Sequence, residues 1–405
     1  MFNKTKKIIW GSVAVLLVVA VGAFAYWWFF MRATTPSGGE TGGAFPEAGE
    51  VGGFGDLGTG GEDAGDLGVG DGELPRLRQL TETPVAGAVI FSRGGQTLVR
   101  YAERGTGHLF EIGAEEGTAR RISNQTIPEI GAALWKPDGS GVIVRYNKKS
   151  AGTEYIESFY ATVGAAASEG DALRASFLPR NIRTLAFSPT GNTIFYLSEN
   201  ATGASGVLAA PDGSRKNTII DLPLKDLAAV WPVNDSIFLT TRASAGMAGH
   251  LFAVGAQNGA LDVVESGVGL TALPSRGGTV VLSSTSNESS ATLSLFNRTR
   301  GETVPLGLAT LADKCVWGKK NRAVALCAVP DALPNGFPNN WYQGTAQTND
   351  SVWKIDAEDG RADLAVNLSE IARTEIDVFN VDISPDDQYL LFQNKNDLTL
   401  WILAL

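Results

Sequence analysis

The sequence predicts an all-β body, a seven-bladed β-propeller with N-terminal strand closure, preceded by one transmembrane helix and a disordered Gly-rich acidic linker. Three observations predict it. A 24-residue stretch near the start carries no charge, a Gly-rich acidic stretch follows it, and one turn signature returns seven times over residues 76–405.

Ile8 to Met31 is the charge-free stretch. As a helix rising about 1.5 Å per residue it spans roughly 36 Å, enough to cross a hydrocarbon core of about 30 Å with some tilt. Lys4, Lys6 and Lys7 lie in the basic tail 1–7, whereas the far side offers only Arg32 before a run of acids. The positive-inside rule then predicts a cytoplasmic N-terminus and an extracytoplasmic body. A cleaved signal peptide would have a shorter apolar region followed by small residues, but Tyr26, Trp27 and Trp28 stand at that place. An uncleaved single-pass anchor in the cell membrane is the expectation.

Residues 32–75 form the linker. Pro36 to Pro75 holds 15 Gly in 40 residues, with nine acids and no base between Ala33 and Pro75. Such a composition buries too little apolar surface to offset the entropy of ordering, so disorder is predicted.

The repeat comes next. VIFSRGG (89–95), ALWKPDG (133–139), LAFSPTG (185–191), AVWPVND (229–235), ALPSRGG (272–278), CVWGKKN (315–321) and VDISPDD (381–387) align. Their third positions, Phe91, Trp135, Phe187, Trp231, Pro274, Trp317 and Ile383, are spaced by 44, 52, 44, 43, 43 and 66 residues. After each comes a β-branched run such as VIVRYN or TIFYLS, so each pair reads as a hairpin joined by turn formers. A third run and a weaker fourth complete four antiparallel strands per repeat, which is what a propeller blade requires. The last repeat lacks a fourth strand of its own. Residues 76–82 parallel the outer strand that precedes the second repeat, so they are expected to dock on the last blade and close the ring.

The turns KPDG (136–139), SPTG (188–191) and SPDD (384–387) resemble the turn signature of TolB-like and WD-repeat-like propellers. Gly107-His108 and Gly249-His250 open the third strands of two repeats, a departure from the WD-repeat layout that favours the looser TolB-like type. The resemblance implies a binding scaffold of the membrane-anchored bacterial type, and its motifs specify a turn rather than a chemistry.

A formal charge of −10 argues against a general polyanion binder, so no nucleic-acid partner is expected. Two His and two Cys leave little material for zinc or haem, and neither a metal nor a cofactor is expected. His108 and His250 read as structural residues bonded to neighbouring loops. Cys315 and Cys327 fall opposite each other across a hairpin, which allows a disulfide or two small core residues.

The longest hairpin connection runs over about residues 329–351. A loop that long in a compact repeat is often functional. Phe337, Trp341 and Tyr342 with Asn339, Asn340 and Gln343 could form a recognition surface for sugar rings or a protein partner; alternatively the aromatics fold back as a small core of their own. Glu129, Asp226, Asp313 and Asp377 precede inner strands and could form an acidic collar at one mouth of the channel, or cap local turns.

There is no GxSxG elbow, HExxH or phosphate loop. The expectation is therefore a non-catalytic, membrane-tethered binding or scaffold module for a protein or an envelope glycan. The alternative is a propeller-type carbohydrate-active hydrolase working with carboxylates alone.

Overall fold

The structure is a computed structural model that describes residues 75–405, apart from 124, 151, 165–166 and 168–172. The expected basic tail, membrane helix and all of the linker but Pro75 lie outside the described residues. Among the described residues no helix is long and apolar enough to cross a membrane.

Seven four-stranded antiparallel sheets make the ring. The first strand in the chain, β1 (Leu77–Gln79), belongs to the last blade. Blade 1 is β2 (Val85–Arg93), β3 (Gln96–Glu103), β4 (Leu109–Gly113) and β5 (Arg120–Arg121). Blade 2 is β6 (Ile130–Trp135), β7 (Gly141–Ser150), β8 (Thr153–Thr162) and β9 (Arg174–Phe177). Blade 3 is β10 (Leu185–Phe187), β11 (Ile194–Glu199), β12 (Ala204–Ala209) and β13 (Asn217–Leu222). Blade 4 is β14 (Leu227–Val233), β15 (Ser236–Thr241), β16 (Ala248–Gly255) and β17 (Leu261–Val268). Blade 5 is β18 (Thr271–Pro274), β19 (Val280–Asn287), β20 (Ser290–Asn297) and β21 (Glu302–Pro305). Blade 6 is β22 (Cys315–Trp317), β23 (Val324–Pro330), β24 (Asp350–Asp356) and β25 (Ala362–Asn367). Blade 7 is β26 (Val378–Ile383), β27 (Tyr389–Asn394) and β28 (Leu400–Ala404), completed by β1.

The second strand of a blade has neighbouring blades against both of its faces, so its apolar residues run without alternation. Ile237, Phe238 and Leu239 of β15 are all fully buried, as are Ile194 and Phe195 of β11. Outer strands face water: β17 leaves Leu261, Val263 and Val268 exposed.

The recurring turn needs a left-handed residue in its last place. Gly139, Gly191 and Gly278 all sit there at φ 70, a conformation that costs Gly little. Asp387 fills the same place in the seventh repeat at φ 62. Its carboxylate compensates by accepting from the backbone N–H groups of Lys319 at 2.7 Å and Asn321 at 2.7 Å, which staples the blade 6 turn to blade 7.

The third position of the repeat joins blades. Trp135 Nε1 donates to the Gly87 carbonyl of blade 1 at 3.2 Å, and Trp317 Nε1 donates to the Leu273 carbonyl of blade 5 at 3.0 Å. Gly87 lies so close to blade 2 that a Cβ there would meet the Ala133 carbonyl oxygen at 2.0 Å.

The ring closes as the sequence predicts. β1 pairs antiparallel with β28, with Leu77 opposite Leu403 and Gln79 opposite Trp401. Leu77 is buried in the core of blades 6 and 7, and Thr81 Oγ1 accepts from the Leu400 N–H at 3.0 Å.

Candidate functional site

The long connection of blade 6 leaves β23 at Pro330 and returns at Asp350. Its one helical turn, α1 (Asn339–Gln343), ends on Gly344 at φ 74. The loop folds over the face on which the inner strands begin. Asn339 Oδ1 accepts from the Ala245 N–H of blade 4 at 2.9 Å, and the Gly336 N–H donates to the Glu288 carbonyl of blade 5 at 3.1 Å. Lys395 of blade 7 stands over the Trp341 ring at 5.0 Å. One loop thus touches three other blades.

Of the six loop residues proposed from sequence, Phe337 and Trp341 are buried, packed with Ala291 and Leu311 and flanked by Leu333 and Phe379. They form the loop's own small core, because large aromatic rings gain more from burial than from exposure. Asn340 Nδ2 donates to the Asn335 carbonyl at 2.9 Å and holds the turn before α1. Tyr342 and Gln343 are exposed.

Beneath the loop lies a buried polar network. Lys314, with no exposed side-chain surface, places Nζ 2.8 Å from Asp350 Oδ2, 2.8 Å from Asp377 Oδ1 and 2.7 Å from Thr348 Oγ1. Trp341 Nε1 donates to both oxygens of Asp377 at 2.9 Å, and the Val378 N–H donates to Asp350 at 2.6 Å. Burial pushes the Asp350 carboxyl up from its ordinary range, and Lys314 and the Val378 N–H oppose that rise. The network anchors the loop to blades 6 and 7.

In front of it opens a cavity of about 630 Å³ at the channel mouth. Thr240, Thr241, Arg242, Thr271, Asp313 and Tyr342 supply its polar wall, with Asn380. The Tyr342 hydroxyl donates to Asp313 Oδ2 at 2.6 Å. Asp313 keeps exposed surface in the cavity, and partial desolvation by the protein around it pushes its carboxyl above the usual range, with the Tyr342 bond and the nearby Arg242 opposing. Although Tyr342 keeps exposed surface, desolvation by the surrounding protein, then the charge and hydrogen bond of Asp313, push its phenol well above the usual value. Arg242 also reaches Asp226 at 3.2 Å.

The four acids read as a collar do not form one. Asp377 is consumed by Lys314 and Trp341 inside the protein. Asp226 is exposed and paired with Arg242. Glu129 is exposed at φ 58 beside Thr83 and Arg104, in another recess. Asp313 alone of the four lines the mouth cavity. A ring of like charges is costly, and each acid has found a local partner or solvent instead.

Cys315 and Cys327 are register partners joined at S–S 2.06 Å, and Cys315 borders the mouth cavity. His108 Nε2 lies 3.0 Å from Thr126 Oγ1, and His250 Nδ1 lies 2.7 Å from Ser266 Oγ. Among the described residues no group of three or more His, Cys, Asp or Glu side chains is placed to hold a metal ion.

Sequence reading missed Lys314, Arg242 and the threonines of the mouth. Thr240 and Thr241 end a strand whose periodicity shows only burial, and Lys314 stands in a turn where lysine is normally solvated. Position in the blade was the only signal for any of them.

No protein-family model matches the chain, and no curated protein matches it significantly. Solved structures do match. Oligogalacturonate lyase in complex with manganese aligns with a TM-score of 0.50 and 10% identity, over 81% of this chain and 93% of that one. A puromycin hydrolase S511A mutant aligns with a TM-score of 0.49 and 16% identity, over 76% of this chain and 50% of that one. The chain spans about half the length of the puromycin-hydrolysing structures it matches. A putative TolB from Agrobacterium tumefaciens is also among the similar structures, with a TM-score of 0.40 and 13% identity, over 58% of this chain and 90% of that one.

At these identities the likeness is one of fold. It includes the TolB-like propeller that the turn signature resembles. It also corrects the expectation of a non-catalytic chain. A lyase shares this propeller over nearly its whole length, so missing hydrolase motifs do not separate a binding propeller from a catalytic one.

Proposed function

We propose that the protein is a membrane-tethered extracytoplasmic binding module whose propeller takes a polyhydroxylated ligand, a stretch of envelope glycan, at the channel mouth. The mouth cavity carries this reading. At about 630 Å³ it has the size of a small-molecule or short-oligosaccharide site. Its wall offers what sugar hydroxyls pair with: a carboxyl acceptor in Asp313, a guanidinium donor in Arg242, hydroxyls from Thr240, Thr241 and Thr271, and the Tyr342 ring beside them. A protein partner finds less here, because the two largest aromatics of the loop are spent on its own core. The tether rests on the charge-free run Ile8 to Met31 and the lysines before it. Holding the domain at the membrane would raise its local concentration for ligands of the cell surface.

A panel of cell-wall and exopolysaccharide fragments, titrated into the purified full chain in detergent, tests the reading. Binding of a glycan that weakens in Asp313→Asn and Tyr342→Phe supports it. Binding indifferent to both, or binding to protein extracts alone, contradicts it. The same incubations are analysed for shortened glycans, because a carboxyl that lines the ligand cavity can also serve as a general acid. Product release dependent on Asp313 would make the mouth catalytic.

A further inference from the structure

The other end of the channel carries cations whose charges the protein itself does not meet. The repeat places Arg93, Arg276 and Lys319 at equivalent positions, two residues past the third position of the signature in blades 1, 5 and 6. Arg93 is met by Glu111 at 2.8 Å. Lys319 is met by Asp382 of blade 7 at 2.8 Å and also donates to the Ile90 carbonyl of blade 1 at 3.3 Å. Asp382 Oδ2 in turn accepts from the Ile90 N–H at 3.3 Å. Side chains of blade 6 and blade 7 therefore meet the inner strand of blade 1 within the channel.

Arg276 differs. It is half-buried, its Nε is buried without a hydrogen-bond partner, and no ion pair reaches it among the described residues. It lies within the electrostatic reach of Asp382, Asp387 and Arg322. Arg276 holds in blade 5 the position that Lys319 holds in blade 6, from which the side chain crosses the channel to blades 7 and 1. Both acids are already engaged, Asp382 by Lys319 and Asp387 by the backbone N–H groups of Lys319, Lys320 and Asn321. Arg322 is exposed and likewise without an ion pair among the described residues. A guanidinium keeps its charge at any physiological pH, and burying part of it unpaired is costly.

We propose that this end of the channel binds an oxyanion, a carboxylate or a phosphate group, between Arg276 and Arg322. The planar fork of Arg276 suits bidentate contact with either group through its terminal nitrogens, and an anion seated there would supply the counter-charge that no ion pair gives it. The site is local. The negative charge of the whole chain, with Asp382 and Asp387 in reach of Arg276, disfavours a long polyanion, whereas one oxyanion carried by a small or otherwise neutral ligand can seat against the two guanidiniums.

Thermal unfolding of the full chain in detergent, at constant ionic strength set with chloride, provides the test. Inorganic phosphate and acetate are the two probes, and their separate arms distinguish a phosphate source from a carboxylate source. A melting temperature that climbs with the logarithm of either probe supports the site, provided the apparent affinity falls about tenfold or more in Arg276→Gln, the scale of a charge-assisted hydrogen bond. Tyr342→Phe, at the opposite mouth, keeps the response, so failure of the glycan reading leaves this one standing. Without either probe, Arg276→Gln melts at or above the wild-type temperature, because it removes an unpaired buried charge. Equal anion responses in the two proteins, no response in either, or a large loss of stability in probe-free Arg276→Gln would overturn the proposal.

Discussion

A lysine without exposed surface is held entirely by its partners, and Lys314 has two carboxylates, a hydroxyl and an indole face around it. Lys314→Met leaves Asp350 and Asp377 buried without their cation and should cost about 3–5 kcal/mol, read by denaturant unfolding. Adding Asp350→Asn and Asp377→Asn should restore part of the loss, since neutral amides need no counter-charge; a triple variant as unstable as the single one would contradict the role given to the charges. Glu111 presents the second case. It is buried between Arg100 at 2.7 Å, Arg93 at 2.8 Å and Arg120 at 2.8 Å. Burial alone would raise its carboxyl, yet the hydrogen bonds and charges of the three guanidiniums hold it below the ordinary value of 4.5. A lowered folded-state value contributes stability that is complete above that ordinary value and is lost as pH falls through the lowered one. Glu111→Gln should therefore be less stable than wild type at pH 7, with the gap narrowing below pH 4.5 in acid titrations followed by circular dichroism. A gap independent of pH would show that packing, not charge, is what Glu111 supplies.

Among the elements, β1 is only three residues long yet covers the edge of β28. A chain lacking residues 76–82 exposes that edge and the Leu77 side of the blade 6 and 7 core. It should melt at lower temperature and scatter light in a concentration-dependent way; unchanged melting and a monodisperse solution would contradict strand closure. The blades and this closure were legible in the sequence because they rest on a period, on turn formers and on β-branched runs, all of which are local. The placement of the long loop was not. Its path depends on the curvature of the ring, which brings Asn339 to Ala245 and Tyr342 to Asp313 across distances in sequence that no pattern marks. The aromatics of the loop were legible as a choice between surface and core, and burial decided it for Phe337 and Trp341 while Tyr342 kept its hydroxyl in the mouth. Asp377 was read as a channel acid because sequence cannot show that Lys314, itself in a turn, points inward to meet it. Arg276 did carry a signal in its alignment with Arg93 and Lys319, but only the structure shows that the other two are paired and it is not.

At the scale of the whole molecule the channel has two chemically different ends. One is closed over by the blade 6 loop and walled by Asp313, Tyr342, Arg242 and threonines; the other presents Arg276 and Arg322. The ring holds both ends in fixed register: blades 1 and 2 and blades 5 and 6 are bonded through the repeat's third position, and blades 6 and 7 through the Asp387 clamp. Changes at one end should leave the other intact, and the glycan reading stands or falls at the mouth alone. The most direct test is calorimetric titration of a glycan fragment into the wild-type chain and into the Asp313→Asn, Tyr342→Phe double variant. The account predicts affinity about tenfold to a hundredfold weaker in the variant, the range of hydrogen bonds to a charged group, while its melting temperature stays close to wild type and its phosphate response is retained. Equal affinity in the two proteins would place the ligand somewhere other than the channel mouth and contradict the central claim.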